Sequence, residues 1–298
     1  MTKRVTVLMG GASAEREVSL RSGAAASAAL GEAGFVVTAI DIGRDPAELV
    51  RKVTETTPDV VFNALHGRFG EDGCVQGLLN LLGVPYTHSG LLASAAAMDK
   101  AFARQIFAQA GIPVAAGEVV MKGQGTRIPR PHVVKPLNEG SSVGVYILHP
   151  GDTRDPLADW PFDAGVVLVE EFIPGRELTA AVMGDRTLGV LEITSDRGWY
   201  DYEAKYAPGG SRHIMPAPIP AELYAEAARL ALEAHRVLGC RGVSRTDLRL
   251  DGTRLVVLEV NTQPGMTGTS LVPEIAAHAG ISFPQLVRWM VENAACDA

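Results

Sequence analysis

The chain has 298 residues, enough for two or three domains with a sizeable core. With 47% hydrophobic residues, 20% charged residues and a formal net charge of −7, it reads as a soluble globular protein, and it lacks the basic excess that a nucleic-acid footprint needs. Cys74, Cys240 and Cys296 lie far apart with no C-x-x-C between them, which gives no sign of a zinc knuckle or a redox pair. The apolar run after Met1 and the small-residue stretch at 90–98 are both too short for a membrane span, so a reducing cytoplasm and no membrane partner are expected.

The first hundred residues alternate strand and helix. "RVTVLM" (4–9), "FVVTAIDI" (35–42) and "DVVFNAL" (59–65) are short β-branched runs, and stretches with helical spacing separate them. That alternation implies a parallel sheet, whose ligands sit beyond the carboxyl ends of the strands. The strand-end loops "GGASAE" (10–15) and "HGRFGEDG" (66–73) should therefore face one cleft. "MDKAFARQIFAQAGIP" from Met98 reads as one amphipathic helix stopping at Gly111 and Pro113. Strand-like runs follow up to 194 and suggest antiparallel pairing. Next come a polar aromatic loop (195–213), a long helix after Pro220, two strands joined around Asp251-Gly252, and a helical tail.

Four stretches could carry chemistry. "VLMGGASAEREVSLRSG" (7–23) lacks both the G-x-G-x-x-G and the G-x-x-x-x-G-K-[ST] patterns. Its glutamates in the first helical turn would repel a phosphate, so a ligand carrying an ammonium is favoured over a nucleotide. "HVVKPLNEGSSVGV" (132–145) ends a strand on Lys135 before a Gly/Ser turn that can cradle an anion. In "SRTDLRL" and "LVVLEVNTQPGM", Glu259 and Asn261 share a face. A connecting loop of odd length puts Asp247 on that face too, and an even loop puts it opposite, barring a bulge. The odd register yields hard oxygen ligands suited to Mg²⁺, with Val256, Leu258 and Val260 buried on the other side. "VVLVEEFIPGRELT" (166–179) reads as an edge strand that could pair with an adenine, with Glu177 near the ribose.

Eight segments together resemble the D-alanine–D-alanine ligases of the ATP-grasp superfamily: "GGASAEREVSLRSG", "ALHGRFGEDGCVQGLL", "MDK", "VVKPLNEGSSVGV", "YDYEAKY", "SRTDLRL", "LEVNTQPGMT" and "SLVP", in the family's order. The resemblance implies an α/β and α+β architecture, an N-terminal parallel-sheet domain (1–97) followed by a two-domain ATP-grasp fold (98–184 and 185–298). It implies an ATP-dependent ligase that joins two D-alanines for cell-wall peptidoglycan, working in the cytoplasm as a homodimer. ATP contacts would come from Lys100, Lys135 and Lys205, from Glu170, Glu171, Phe172 and Ile173 at the adenine, and from Glu177 at the ribose. Asp247, Glu259 and Asn261 would bind two Mg²⁺, with Mn²⁺ as a substitute. Glu15 would bind the first D-alanine's ammonium, linked through Ser141 to Tyr206, with His66 nearby. Arg245 and the Gly265 N–H would form an oxyanion site, and Ser270 with the Leu271 N–H would hold the second carboxylate. The loop at 195–213 would close as a lid.

Two positions depart from the family pattern. Glu171 stands where lysine is expected, and Gln263 stands where serine is frequent, the latter with no chemical consequence expected. Tyr206 is retained, which favours D-alanine over D-lactate as second substrate. The alternatives are another ATP-grasp carboxylate–amine ligase, a non-catalytic nucleotide-binding sensor, and a dinucleotide oxidoreductase, the last disfavoured by the missing glycine fingerprint.

Overall fold

The structure is a computed structural model, and it describes residues 2–140, 144–153, 156–157, 160, 165–194 and 210–297. The N-terminal runs form a parallel sheet in the order β2-β1-β3, from β1 (Arg4–Gly10), β2 (Val36–Ile42) and β3 (Val60–Asn63). A parallel bridge from Val61 to Tyr86 extends it, and Tyr86 pairs in turn with Ala295 of the C-terminal tail. Helix α1 (Arg16–Glu32) and α2 (Pro46–Thr56) follow the expected runs, with Asp45 capping α2. The short α3 (Cys74–Leu82) and α4 (Leu91–Met98) complete this region.

The helix expected from Met98 begins anew. Asp99 ends α4 and caps α5 (Lys100–Gln109) by accepting from the Phe102 N–H at 3.0 Å. The aspartate of "MDK" thus fixes Lys100 as the first residue of a helix. A four-stranded antiparallel sheet follows, in the order β4-β7-β5-β6, from β4 (Gly117–Met121), β5 (His132–Lys135), β6 (Tyr146–Leu148) and β7 (Val166–Glu171). Strand β7 lies between β4 and β5, so the edge-strand expectation for 166–171 does not hold. Val134, Val167 and Val169 pack with Trp160 on one face, which turns Val133, Lys135 and Glu170 to the other.

A five-stranded antiparallel sheet in the order β10-β9-β8-β11-β12 forms the rest: β8 (Arg176–Met183), β9 (Arg186–Thr194), β10 (Arg212–Ile214), β11 (Val243–Asp251) and β12 (Arg254–Asn261). The boundary expected at 184/185 falls in the turn between β8 and β9, which are neighbours; the change of sheet lies between β7 and β8. Helix α6 (Ala221–Val237) and α5 cover one face through Leu178, Ala180, Val182, Leu248 and Val257. The other face, through Ala181, Met183, Leu191 and Val243, meets α7 (Leu271–His278), α8 (Phe283–Glu292) and the N-terminal sheet in one core. The tail is tied to the N-terminal half, since α8 packs on α1 and Arg288 donates to the Ala33 carbonyl. Among the described residues no helix is long and apolar enough to cross a membrane.

Candidate active site

The second face of the five-stranded sheet changes character along its length. Met183, Ala181 and Val243 belong to the core, but farther along Asp247 stands opposite Thr179 and Arg249 opposite Glu177. This polar end opens into a cleft against the cleft-facing side of β5, β6 and β7.

The β11–β12 hairpin brings its acidic residues together by a different route from the one expected. Asp251 pairs with Arg254, so the loop is the even one, Gly252-Thr253. That loop alone would set Asp247 on the wrong face. An irregularity after Asp247 corrects it: Leu248 pairs with Val257, but Asp247 pairs with Glu259, which leaves Leu258 as an extra residue. Core-facing positions accordingly switch from Leu255 and Val257 before the bulge to Val260 after it. Leu258 was expected to be buried and instead lines the cleft beside Glu259.

Two adjoining cavities make up the cleft. One, of about 140 Å³, lies between the central and C-terminal sheets; Lys100, Lys135, Glu170, Glu171, Phe172, Ile173, Glu177, Asp247 and Glu259 all line it. Its charges are paired. Glu170, 3% exposed, forms ion pairs with both Lys135 and Arg104. Arg249 donates to Glu177 at 3.0 Å. Lys100 Nζ donates to the Glu139 carbonyl at 2.7 Å and lies 3.3 Å from Glu259 Oε2. Glu171 accepts from Arg254 at 2.7 and 3.1 Å, and that bond holds its carboxyl below the usual range. The N–H groups of Glu171 and Phe172 donate to Ala116 and Pro131, so they are not open to a base. Val133, Ile147 and Leu258 supply apolar walls.

The other cavity, of about 290 Å³, lies where all three regions meet. Glu15, His66, Arg245, Asn261, Gly265, Ser270 and Leu271 line it, and Lys100 and Glu259 line both cavities. The opening glycine pair adopts left-handed conformations, φ +88° at Gly10 and +85° at Gly11, which lets the chain leave β1 and turn into α1. Glu15 stands at the head of α1 without capping it. Its carboxylate is cradled by backbone instead: a Cβ on Gly67 would lie 2.7 Å from Glu15 Oε2, and one on Gly140 3.0 Å away. Glu17 points to solvent, so Glu15 alone of the two glutamates serves the cavity.

His66 is buried, its Nε2 3.1 Å from Ser22 Oγ. Ser270 precedes α7, accepts from the Thr267 N–H at 2.9 Å, and packs close enough to Gly265 that a Cβ there would meet its hydroxyl. The first N–H groups of α7 lack intrahelical partners, and Ser270, Leu271 and Val272 line the cavity, a natural seat for a carboxylate. Arg245 donates to both Asp247 oxygens at 2.8 and 2.7 Å, and Thr179 donates to Asp247 Oδ1 at 2.7 Å. Asp247, Glu259 and Asn261 are hard oxygen donors on one hairpin, suited to a divalent cation, and cationic side chains already sit on both carboxylates. Among the described residues no cluster of three or more His, Cys, Asp or Glu has metal-ligand spacing.

Ser141, Lys205, Tyr206 and residues 195–209 of the expected lid lie outside the described residues, while Arg212 and His213 at its end belong to β10 rather than to a loop. Several residues at the cleft carried no expectation. Arg104 is four places after Lys100 on α5, a spacing that puts both on one side of the helix. Glu71 lines the larger of the two cavities with a buried Oε2 4.0 Å from His66 Nδ1. Gln263, expected to be without consequence, is buried and bonds to Asn63 at 2.8 Å and to the Leu65 carbonyl.

Comparisons with known proteins agree with this geometry. Residues 105–292 match the D-ala D-ala ligase C-terminus family model and residues 46–89 the N-terminus model. The chain is 74% identical to a D-alanine–D-alanine ligase of Paramagnetospirillum magneticum and 61% identical to one of Rhodospirillum rubrum, over 100% of both chains in each case. A crystal structure of the Bacillus anthracis D-alanine–D-alanine ligase complexed with ATP superposes with a TM-score of 0.85 at 29% identity, covering 98% of this chain and 97% of that one. The chain belongs to the D-alanine–D-alanine ligase family.

Proposed function

We propose that this protein is an ATP-dependent ligase that joins two D-alanines into D-alanyl-D-alanine, releasing ADP and phosphate, for peptidoglycan precursors. One observation carries the reading: Lys100 and Glu259 line both cavities, so a phosphate held in one adjoins a carboxylate held in the other. The first D-alanine's carboxylate attacks the γ-phosphorus, ADP leaves, and an acyl phosphate forms. The second D-alanine's amine attacks that carbonyl carbon, and phosphate departs from the tetrahedral intermediate.

The residues divide by what each step needs. Phosphoryl transfer concentrates negative charge, which Lys100, Lys135 and Lys205 would offset. Glu170 holds Lys135 in place, while the apolar walls with Phe172 and Ile173 take the purine, beside Glu171, and Glu177 the ribose. The donor set of Asp247, Glu259 and Asn261 fits two Mg²⁺, or Mn²⁺ in their place, which when bound neutralise phosphate charge. In the second cavity Glu15 would anchor the first ammonium, beside His66, with Ser141 and Tyr206 completing that link. The oxyanion would be met by Arg245 and the Gly265 N–H. Ser270 and the Leu271 N–H would seat the second carboxylate at the α7 N-terminus.

Three domains are proposed, the first ending near 97; the change of sheet between β7 and β8 favours a second limit near 174 over 184. A homodimer is proposed because the touching helices α3 and α4 leave Leu81 (87%) and Leu92 (73%) exposed. A cytoplasmic setting fits three free cysteines. The decisive experiment is phosphate release from ATP with and without D-alanine. Release that rises with D-alanine, and rises no further when D-lactate is added, is the expected result; release indifferent to D-alanine would overturn the reading.

A further inference from the structure

We propose that Gln263 is a positioning residue: it fixes the loop carrying the Gly265 N–H against the N-terminal segment carrying His66, and so sets the amino-acid cavity's dimensions. The inference rests on the ligase reading above. Gln263 is 1% exposed, an unusual place for an amide side chain. Its backbone N–H and both polar atoms of its side chain have partners. Its backbone N–H donates to Asn261 Oδ1 at 2.8 Å, its Oε1 accepts from Asn63 Nδ2 at 2.8 Å, and its Nε2 donates to the Leu65 carbonyl.

Those partners lead straight to the site. Asn63 ends β3; its Nδ2 also donates to the Gly70 carbonyl at 3.0 Å, and its Oδ1 accepts from the Leu65 N–H at 3.2 Å. Asn63 and Gln263 therefore hold both ends of the segment 65–70, which contains His66. On the other side of Gly265, the Met266 N–H donates to Ser22 Oγ at 3.3 Å, and that hydroxyl lies 3.1 Å from His66 Nε2. Gly265 thus sits between two ties to the N-terminal half, and both converge on His66. Through its own N–H, Gln263 also holds the amide oxygen of Asn261. A serine here is too short to reach Asn63 or Leu65, and would leave a buried donor and a buried carbonyl without this partner. Binding the first D-alanine uses the N-terminal half, while the oxyanion donors belong to the C-terminal half. Loss of the tie should therefore weaken both D-alanine binding and the chemical step, and spare the nucleotide cavity, which Gln263 does not line.

The test compares Gln263→Met, which keeps the shape without the hydrogen bonds, and Gln263→Ser with the parent, at a temperature where circular dichroism shows all three folded. Expected in both variants are a fall in kcat of about 10²-fold and a rise of about tenfold in the KM for the first D-alanine. The KM for ATP should stay within about twofold, the split that separates positioning from a general loosening of the fold. Kinetic constants all within twofold of the parent, or an ATP KM that rises as far as that for D-alanine, would overturn the proposal. Amide hydrogen exchange supplies a readout independent of turnover: residues 65–70 should exchange faster in Gln263→Ser, and unchanged exchange would refute the tie itself. A parent that releases no phosphate in response to D-alanine would refute the ligase reading instead, leaving the exchange result to judge the tie.

Discussion

The two ends of the cleft are built on different principles. At the nucleotide end every named cation already has a carboxylate: Lys135 and Arg104 share Glu170, Arg249 holds Glu177, and Lys100 lies on Glu259. At the amino-acid end the fixing bonds are mostly neutral, running through Ser22, Asn63, Gln263, Thr267 and Ser270. The contrast follows the ligands proposed for each end. A polyphosphate is selected by charge, and cations held on carboxylates stay extended and ready to exchange partners. A zwitterionic amino acid carries no net charge, so it is selected by donors and acceptors at set distances. One end therefore depends on which residue types are present, and the other on how distant segments meet.

The largest expected effect breaks the charged end. In Glu170→Gln the buried Lys135 and the partly buried Arg104 lose their shared carboxylate, and stability should fall by about 3–5 kcal/mol. Urea denaturation checks this; a loss under about 1 kcal/mol would mean that water reaches the cluster and that this end is not the closed charge network described. Next comes Arg245→Ala, at the junction of the two ends. If Arg245 stabilises the oxyanion, kcat should drop by about 10²–10³, or about 2.7–4 kcal/mol. Steady-state kinetics decides, and a drop below tenfold would confine Arg245 to its ion pair with Asp247.

The same contrast explains what could be read from the sequence. The lysines, glutamates and arginine of the charged end announce themselves by type at strand ends and helix starts. The runs of β1, β2 and β4 are visible in β-branched residues. What escaped depends on non-local pairing. The register of β11 on β12 needed both an even turn at Gly252-Thr253 and a bulge at Leu258; either alone gives the wrong face, and a bulge has no signal in a run of apolar residues. Strand β7 looks like an edge because Pro174 and Gly175 follow it, yet β4 and β5 close on both sides. The bond from Asn63 to Gln263 spans 200 positions, and nothing in either neighbourhood names the other.

A third prediction concerns acid sensitivity, to which one buried histidine contributes on each side of the molecule. His88 packs against Phe62 beneath the amino-acid end, and burial lowers its pKa to about 3; His235, in the last turn of α6 against Ser244 of β11, is lowered to about 4 for the same reason. Both imidazoles stay neutral in the fold while the unfolded chain takes up protons below about pH 6.5. Unfolding thus gains protons, and stability falls as pH drops from about 6.5 toward 4. At pH 5.5 each histidine should cost about 1.2 kcal/mol relative to pH 7. Denaturation midpoints across pH 5–8 measure the slope, and His235→Gln should flatten part of it. A slope unaffected by that change would place the acid response elsewhere.

The smallest effect belongs to a pair that resembles the Glu170 cluster in chemistry and differs only in burial. Glu171 accepts two hydrogen bonds from Arg254, joining the end of β7 to the start of β12, but the two side chains are 35% and 48% exposed. Water can replace either partner, so Arg254→Ala should cost only about 0.2–1 kcal/mol. The Glu171 carboxyl, now held below its usual range by that guanidinium, should titrate closer to an ordinary glutamate. Since Glu171 lines the nucleotide cavity, the KM for ATP is the sensitive measurement. An ATP KM raised more than about tenfold would mean that this exposed pair shapes the purine seat, and that charge pairing at this end governs binding even where it contributes little to the fold.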